Sequence, residues 1–155
     1  MGKVKVGVYS FTCCEGCTIV FVEMLNKKFD EYVKKIDFVD FRALKPSKDI
    51  GNTDIAFVEG AISTYDQIDR LKEIRKKTKK LVAMGAAAMA GYPSDHRNRF
   101  DAAKLKEIMP IVKKLNQVDK VMPLKEYVKV DDEIPGCPIQ EEVLIKKIDS
   151  YLKNA

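Results

Sequence analysis

Val4-Lys5-Val6-Gly7-Val8-Tyr9-Ser10-Phe11-Thr12-Cys13-Cys14-Glu15-Gly16-Cys17-Thr18 is the stretch on which the fold turns. Lys3–Tyr9 alternates so that Val4, Val6 and Val8 share one face, as in a β-strand with one side in a core. Ser10–Cys17 reads as a short turn. From Thr18 to Lys34, Phe21, Leu25 and Phe29 recur at the i, i+4 spacing of a helix's apolar stripe. A further strand is predicted at Ile36–Phe41, so the chain opens as strand, helix, strand.

The same alternation continues. Leu44–Asn52 holds Pro46 and Gly51 and is predicted to be a loop. Asp54–Val58 is a nearly continuous apolar run, predicted as a buried strand that ends at Glu59-Gly60. Ser63-Thr64-Tyr65-Asp66 places a hydroxyl cap ahead of a carboxylate three residues on, which predicts a helix start. Ile68, Leu71 and Ile74 would line that helix's inner face. Leu81–Met84 is predicted as the fourth strand, followed by the small-residue stretch Gly85–Gly91 and a polar surface loop at Tyr92–Phe100. Asp101–Ile108 and Ile111–Asn116 read as helices separated by Pro110. Tyr127–Val130 is predicted as the last strand. Ile134–Pro138 reads as a tight turn, with Pro138 as the first residue of a closing helix, Ile139–Lys153. Strands alternating with helices predict an α/β class with an open, mostly parallel sheet, and the length fits a single domain over residues 1–155.

Composition narrows the function classes. The 155 residues carry a net charge of +5, with 33% charged and 46% apolar residues, the balance of a globular protein rather than a disordered one. No apolar run approaches the roughly 18–20 residues that span a bilayer. The N-terminal residues lack the apolar core of a signal peptide, so a cytoplasmic protein with no transmembrane segment is expected. The basic run Arg75-Lys76-Lys77-Thr78-Lys79-Lys80 reads as a solvated helix end. Without a basic–aromatic recognition signature, no nucleic-acid partner is expected. Four cysteines in a reducing compartment read as metal ligands or redox groups rather than disulfides.

Ligands of open parallel sheets bind beyond the carboxyl ends of the strands. Cys13, Cys14 and Cys17 follow the first predicted strand, Glu59-Gly60 the third, Gly85–Gly91 the fourth and Cys137 the last. All of these segments therefore converge on one edge of the sheet. Cys14-Glu15-Gly16-Cys17 is a CxxC unit, in which two thiolates can meet one metal or neighbouring irons while Gly16 lets the backbone approach. Its spacing leaves zinc, an iron–sulfur cluster and thiol redox chemistry open. Thioredoxin-type chemistry gives the distant Gly136-Cys137-Pro138 no task. Structural zinc usually takes two such pairs or nearby histidines, and the only histidine is His96, in a polar loop. A thiolate-rich site built from distant loops suits a cluster better. Gly85 and Gly91 fit close backbone approach and match GxGxxG poorly, and Met84, Met89, Met109 and Met122 read as core filler.

The segments Tyr9–Cys17, Val58–Ile62, Leu81–Gly91 and Ile134–Pro138, in this order, resemble the small subunit of nickel–iron hydrogenases. The short cytosolic forms, and the homologous cluster subunit of respiratory NADH:quinone reductase, are especially similar. The resemblance covers nearly the whole chain. It implies a flavodoxin-like open parallel sheet with helices on both faces, holding the 4Fe–4S cluster proximal to a large subunit's active site. Cys14 and Cys17 match the family's CxGC pair and Cys137 its GCP turn. The family's third ligand stands in a Gly-x-Cys turn, where this chain has Gly85-Ala86-Ala87. Alanine cannot ligate iron, so Cys13 is the expected substitute, with a 3Fe–4S cluster or altered ligation as the alternatives. The resemblance further assigns Glu15, Gly16, Glu59, Gly60, Gly85, Gly136 and Pro138 to the surroundings of the cluster. Glu59 is expected to order the cluster loop or the subunit contact, and Glu15 to face the partner. No cysteine-rich domain follows the GCP helix before Ala155, which implies one cluster. The implied function is electron transfer between a nickel–iron hydrogenase-like large subunit and a ferredoxin-like or flavin subunit. A membrane-associated quinone-reductase-like complex and a cluster-free homologue are the alternatives.

Overall fold

Val4, Val6 and Val8 lie on one face of the first strand, packed into a core that Tyr9, on the other face, does not share. The computed structural model describes residues 2–45 and 49–153; Pro46 and Ala155 fall outside the described residues. The strand β1 (Val4–Ser10) leads to α1 (Gly16–Lys27), α2 (Phe29–Lys35) and β2 (Ile36–Phe41). Next come β3 (Thr53–Glu59), the short β4 (Ile62–Thr64), α3 (Tyr65–Lys77), β5 (Thr78–Met84) and α4 (Gly85–Ala90). A 3₁₀ turn at His96–Arg99 precedes α5 (Ala102–Lys114) and β6 (Gln117–Met122). A second, at Leu124–Glu126, precedes β7 (Asp132–Ile134) and α6 (Glu141–Lys153).

Five of the strands form one sheet in the order β2-β1-β3-β5-β7, every neighbouring pair parallel. This is the flavodoxin-like order, which reverses direction between β1 and β3. One face is covered by α1 and α6, whose Phe21, Met24, Leu144 and Ile148 pack on Val6, Phe57 and Val82. The other is covered by α3 and α4, with Leu71, Ile74 and Ala88 against Ala56, Val58, Leu81 and Ala83. The register places Ser10 beside Glu59, Glu59 beside Met84, and Met84 beside Ile134. Four loops thus leave the sheet from a single row of residues.

Several local expectations are corrected. The long helix from Thr18 to Lys34 is two helices broken at Lys28, and the break turns Phe29 to solvent, 61% exposed, while Phe21 is fully buried. The start of α3 uses Thr64 and Gln67 rather than Ser63 and Asp66: Gln67 N–H donates to the Thr64 hydroxyl, and Thr64 N–H to the Gln67 amide oxygen. Pro110 does not divide α5, because the Lys106 carbonyl it leaves without an N–H partner lies on an exposed turn where water can serve it. Tyr127–Val130 is not a strand. Those apolar residues pack on the second core instead, and the last strand is the polar Asp132–Ile134, paired with β5 from Val82 to Met84. Pro138 belongs to the turn before α6, which starts with Leu144 N–H bonding Gln140 O.

Two short strands were not expected. The antiparallel pair β4 and β6 lies beside the main sheet, and Asn98 braces β6 like a strand neighbour, its amide bonding both N–H and C=O of Val121. Arg97 donates to Gln117 and to Val118 O, so the polar Tyr92–Phe100 segment is tied to β6.

Candidate functional site

The β1–α1, β5–α4 and β7–α6 connections close on one another at the carboxyl edge of the sheet. Ala86 N–H bonds Gly136 O at 2.8 Å, joining the second to the third. Gly85 lets the first meet the second: at φ +86°, its α-carbon faces Cys17 so closely that a Cβ would stand 2.5 Å from Sγ. Only glycine suits both that backbone conformation and that contact.

Cys13, Cys14, Cys17 and Cys137 line one cavity of about 50 Å³ together with Glu59, Met84, Gly85, Gly136 and Pro138. Ala86, Ala87, Pro93 and Ser94 complete its wall. All four cysteines are free thiols. Cys17 is buried, Cys13 half-buried, and Cys14 and Cys137 are exposed. Burial pushes the Cys17 thiol up to about 12, with Glu59 adding to the rise and Ile139 N–H opposing it. Burial likewise pushes the Cys13 thiol up to about 11, against the Glu15 N–H. Both are therefore protonated at neutral pH, and ligation of a metal requires them to lose those protons.

Glu59, only 2% exposed, reaches from the end of β3 to the first turn of α1. Its carboxylate accepts Cys17 N–H at 3.1 Å, Thr18 N–H at 2.9 Å and the Thr18 hydroxyl at 2.7 Å. The α1 helix has no side-chain cap of its own, since Glu15 at its N-cap position is left-handed and its side chain bonds none of the helix amides. A carboxylate from another strand thus satisfies the orphan donors of the cysteine-bearing turn.

The remaining expected residues are placed as follows. Gly16 packs beside Cys14 Sγ, and Gly60, at φ +96°, lets the Phe11–Thr12 backbone pass close by. Glu15 points into a neighbouring cleft, 3.6 Å from Arg42, and does not line the cysteine cavity. Ala87 lines the cavity where the resemblance expects a ligand. His96 is exposed in its loop, packed edge-on to Phe100. Two further residues carry no expectation from sequence: Thr18, which bonds the Glu59 carboxylate, and Ser94, on the cavity wall. Thr18 could have been found from its place next to the CxxC unit. Ser94, whose hydroxyl bonds Thr12 O at 3.0 Å, carries no sequence signal.

Among the described residues, no three His, Cys, Asp or Glu side chains gather closely enough to hold a single metal ion. Four thiols spread along one cavity wall form a different donor set. It suits a cluster, whose ligands bind separate irons and so stand further apart. Among the described residues no helix is long and apolar enough to cross a membrane.

Residues 14–151 match the family described as NADH ubiquinone oxidoreductase, 20 Kd subunit. The HoxS subunit delta of the NAD-reducing hydrogenase of Cupriavidus necator is 27% identical, over 99% of this chain and 80% of its own length. Sulfhydrogenase 2 subunit delta of Pyrococcus furiosus is 29% identical over 97% of this chain, which spans 62% of that protein. Coenzyme F420 hydrogenase subunit gamma of Methanosarcina barkeri is 30% identical over 92% of this chain, which spans 51% of it. Among solved structures, a chain of an NAD+-reducing NiFe hydrogenase in the H2-reduced state aligns with a TM-score of 0.85 at 25% identity, covering 99% of this chain and 93% of that one. A Ni-Fe-Se hydrogenase of Desulfomicrobium baculatum shares the fold, with a TM-score of 0.66 at 13% identity, covering 96% of this chain and 62% of that one.

Proposed function

The chain belongs to the family of the 20 Kd subunit of NADH ubiquinone oxidoreductase, and on that premise we propose that it is the electron-transfer small subunit of a nickel–iron hydrogenase-like complex. Residues 1–155 act as one iron–sulfur domain, with Cys13, Cys14, Cys17 and Cys137 as the cluster ligands. The observation that carries this reading is that Cys137, distant in sequence, lines one cavity with Cys13, Cys14 and Cys17 at the edge where an open parallel sheet binds ligands. The strong likeness to hydrogenase subunits supports it.

A bound 4Fe–4S cluster supplies one-electron redox chemistry. The chain's own residues do the rest. Cys17 anchors from the buried side, and Cys14 and Cys137 hold from the exposed side, where a large subunit would dock. Cys13 stands in for the ligand absent at Ala87. Gly16, Gly85, Gly136 and Pro138 shape the backbone around the sulfurs, and Glu59 and Gly60 hold the β1–α1 loop. Glu15, 3.6 Å from Arg42 in the neighbouring cleft, faces the partner. Electrons pass on to a ferredoxin-like or flavin subunit, and the complex works in the cytoplasm.

The family description favours a second reading, a cluster subunit of a membrane-associated quinone-reductase-like complex. Co-purification separates the two: a nickel-containing large subunit supports the first, and a membrane-arm partner the second.

Anaerobic purification and reconstitution, followed by iron and sulfide analysis and electron paramagnetic resonance, test the cluster. Several irons per chain with matching sulfide are expected. Trace iron after reconstitution overturns the cluster and leaves a cluster-free homologue. Cys13→Ser is expected to lower iron retention or convert the signal to a three-iron type. An unchanged cluster would remove Cys13 from the ligand set.

A further inference from the structure

Cys13 and Cys14 are adjacent, yet both line the cavity. Neighbours along an extended chain point to opposite sides, so the backbone between them must be held away from that form. No helix or strand does this, because the pair lies in irregular backbone ahead of α1. Thr12, the residue before Cys13, has every polar group engaged. Its N–H donates to Ala61 O at 3.1 Å, and its carbonyl accepts Ala61 N–H at 3.0 Å. The same carbonyl accepts the hydroxyl of Ser94, from the cavity wall, at 3.0 Å.

The side chain of Thr12 belongs to a closed ring of three residues. Gln67, in the first turn of α3, donates from Nε2 to the Thr12 hydroxyl at 3.1 Å. The Ser63 hydroxyl donates to Gln67 Oε1 at 3.3 Å. That uses the one proton Ser63 Oγ carries, so Thr12 is the donor in the contact between the two hydroxyls. Each member both donates and accepts, which lets the three bonds reinforce one another. Gln67 Oε1 also accepts Ser63 N–H at 2.8 Å and Thr64 N–H at 3.3 Å, so one side chain serves the cap of α3 and the ring.

We propose that Thr12, Ser63 and Gln67 are positioning residues for Cys13: their ring pins the backbone ahead of it to the start of α3, so that its thiol can take the ligand place that Ala87 cannot fill. This rests on the reading of Cys13 as a cluster ligand given above. The thiol stands one peptide from the pinned residue and is half-buried, with Sγ 3.6 Å from Phe11 O. Cys17 is carried by α1 and Cys137 by the turn before α6, and neither depends on the ring.

In the cluster-free full chain, labelling of each cysteine by a maleimide is followed by fragment-resolved mass spectrometry. Thr12→Val removes one hydroxyl of the ring and leaves the cap of α3 in place. It is expected to accelerate Cys13 labelling about fivefold, as loss of hydrogen bonding eases local opening, with Cys17 and Cys137 unchanged. Thr12→Ser keeps a hydroxyl and is expected to stay at the wild-type rate. Thr64→Ala weakens the cap of α3 without touching Thr12 and is expected to leave Cys13 unchanged. Cys13 at the wild-type rate in Thr12→Val, or equally accelerated in Thr12→Ser or Thr64→Ala, overturns the positioning role. If Thr12→Val unfolds, all four cysteines label rapidly, and Ser63→Ala, which opens the same ring, is judged against wild type and Thr64→Ala in its place.

In the reconstituted protein, iron analysis and electron paramagnetic resonance read the consequence for the cluster. Thr12→Val is expected to reproduce the iron loss or three-iron signal of Cys13→Ser, and Thr12→Ser to keep the wild-type signal. A Thr12→Val protein with wild-type iron and signal overturns the proposal, because the ring then does not serve ligation. Wild type that takes up no iron, or a Cys13→Ser protein with an unchanged cluster, defeats the ligand reading instead. The labelling experiment then still judges the hold of the ring on Cys13.

Discussion

The sulfur of Cys17 rests against the α-carbon of Gly85, where a single added methyl would stand 2.5 Å from it. The contact ties the first loop of the sheet edge to the loop after β5. It also explains why a glycine stands where α4 begins. Gly85→Ala meets two penalties there, a left-handed backbone and a collision with sulfur. The variant should lose about 2–4 kcal/mol in urea unfolding and retain less iron after reconstitution. Wild-type stability and iron content in this variant would contradict the contact.

Phe21 and Phe29 share the periodic pattern but not the environment. Phe21 is fully buried and meets Phe38, Phe41 and Phe57 edge-on. Phe21→Ala should therefore cost about 3–5 kcal/mol, whereas Phe29→Ala should change stability by no more than about 0.5 kcal/mol. Equal losses in denaturant titrations would place the helix break elsewhere.

Thr64 and Gln67 close a reciprocal cap on α3. Thr64→Ala should lower stability by about 1 kcal/mol, while Ser63→Ala tests the cap position first read from sequence. A larger loss for Ser63→Ala in the cap-dependent helical signal would return the start of α3 to that residue.

Asp132 gives a pH dependence of definite sign. Burial works against its ionised form, but the Lys147 ammonium, the Tyr151 hydroxyl and Glu133 N–H outweigh it and hold the carboxyl below its usual value. A folded-state value below the unfolded one contributes stability that is present above about pH 4 and lost as the pH falls through the folded value. Asp132→Asn should accordingly be less stable than wild type at pH 7, with the gap closing as the pH falls below about 4. A gap that persists unchanged in acid would show that the group's ionisation does not contribute.

The strands most legible in the sequence are those of six or seven residues that carry either alternating valines, as in β1, or a nearly continuous apolar run, as in β3 and β5. Ile36–Phe41 matches its expected boundaries, β1 is displaced by one residue from Lys3–Tyr9, β3 is longer by one residue at each end and β5 by three at its start. β6 was illegible because its buried residues, Val118 and Val121, are three apart and so mimic a helix. β4 and β7 are three residues each, too short to show any period, and exist through pairing with residues far along the chain. The break at Lys28 carries neither Gly nor Pro to announce it.

Four cysteines, the turns that carry them and the strand-to-helix alternation that sends them to one edge are all properties of the sequence by itself. Residue type settles what a side chain can ligate, and the hydrophobic period settles which elements form, both over short distances along the chain. Only the tertiary structure decided that Cys17 is buried while Cys14, three residues away, is exposed. It alone showed that Gly85 exists to admit the Cys17 sulfur and that Glu59 caps a helix to which it is not connected locally. These facts depend on the parallel register that sets Ser10, Glu59, Met84 and Ile134 side by side. That register is fixed by packing between segments distant along the chain, which no local pattern encodes.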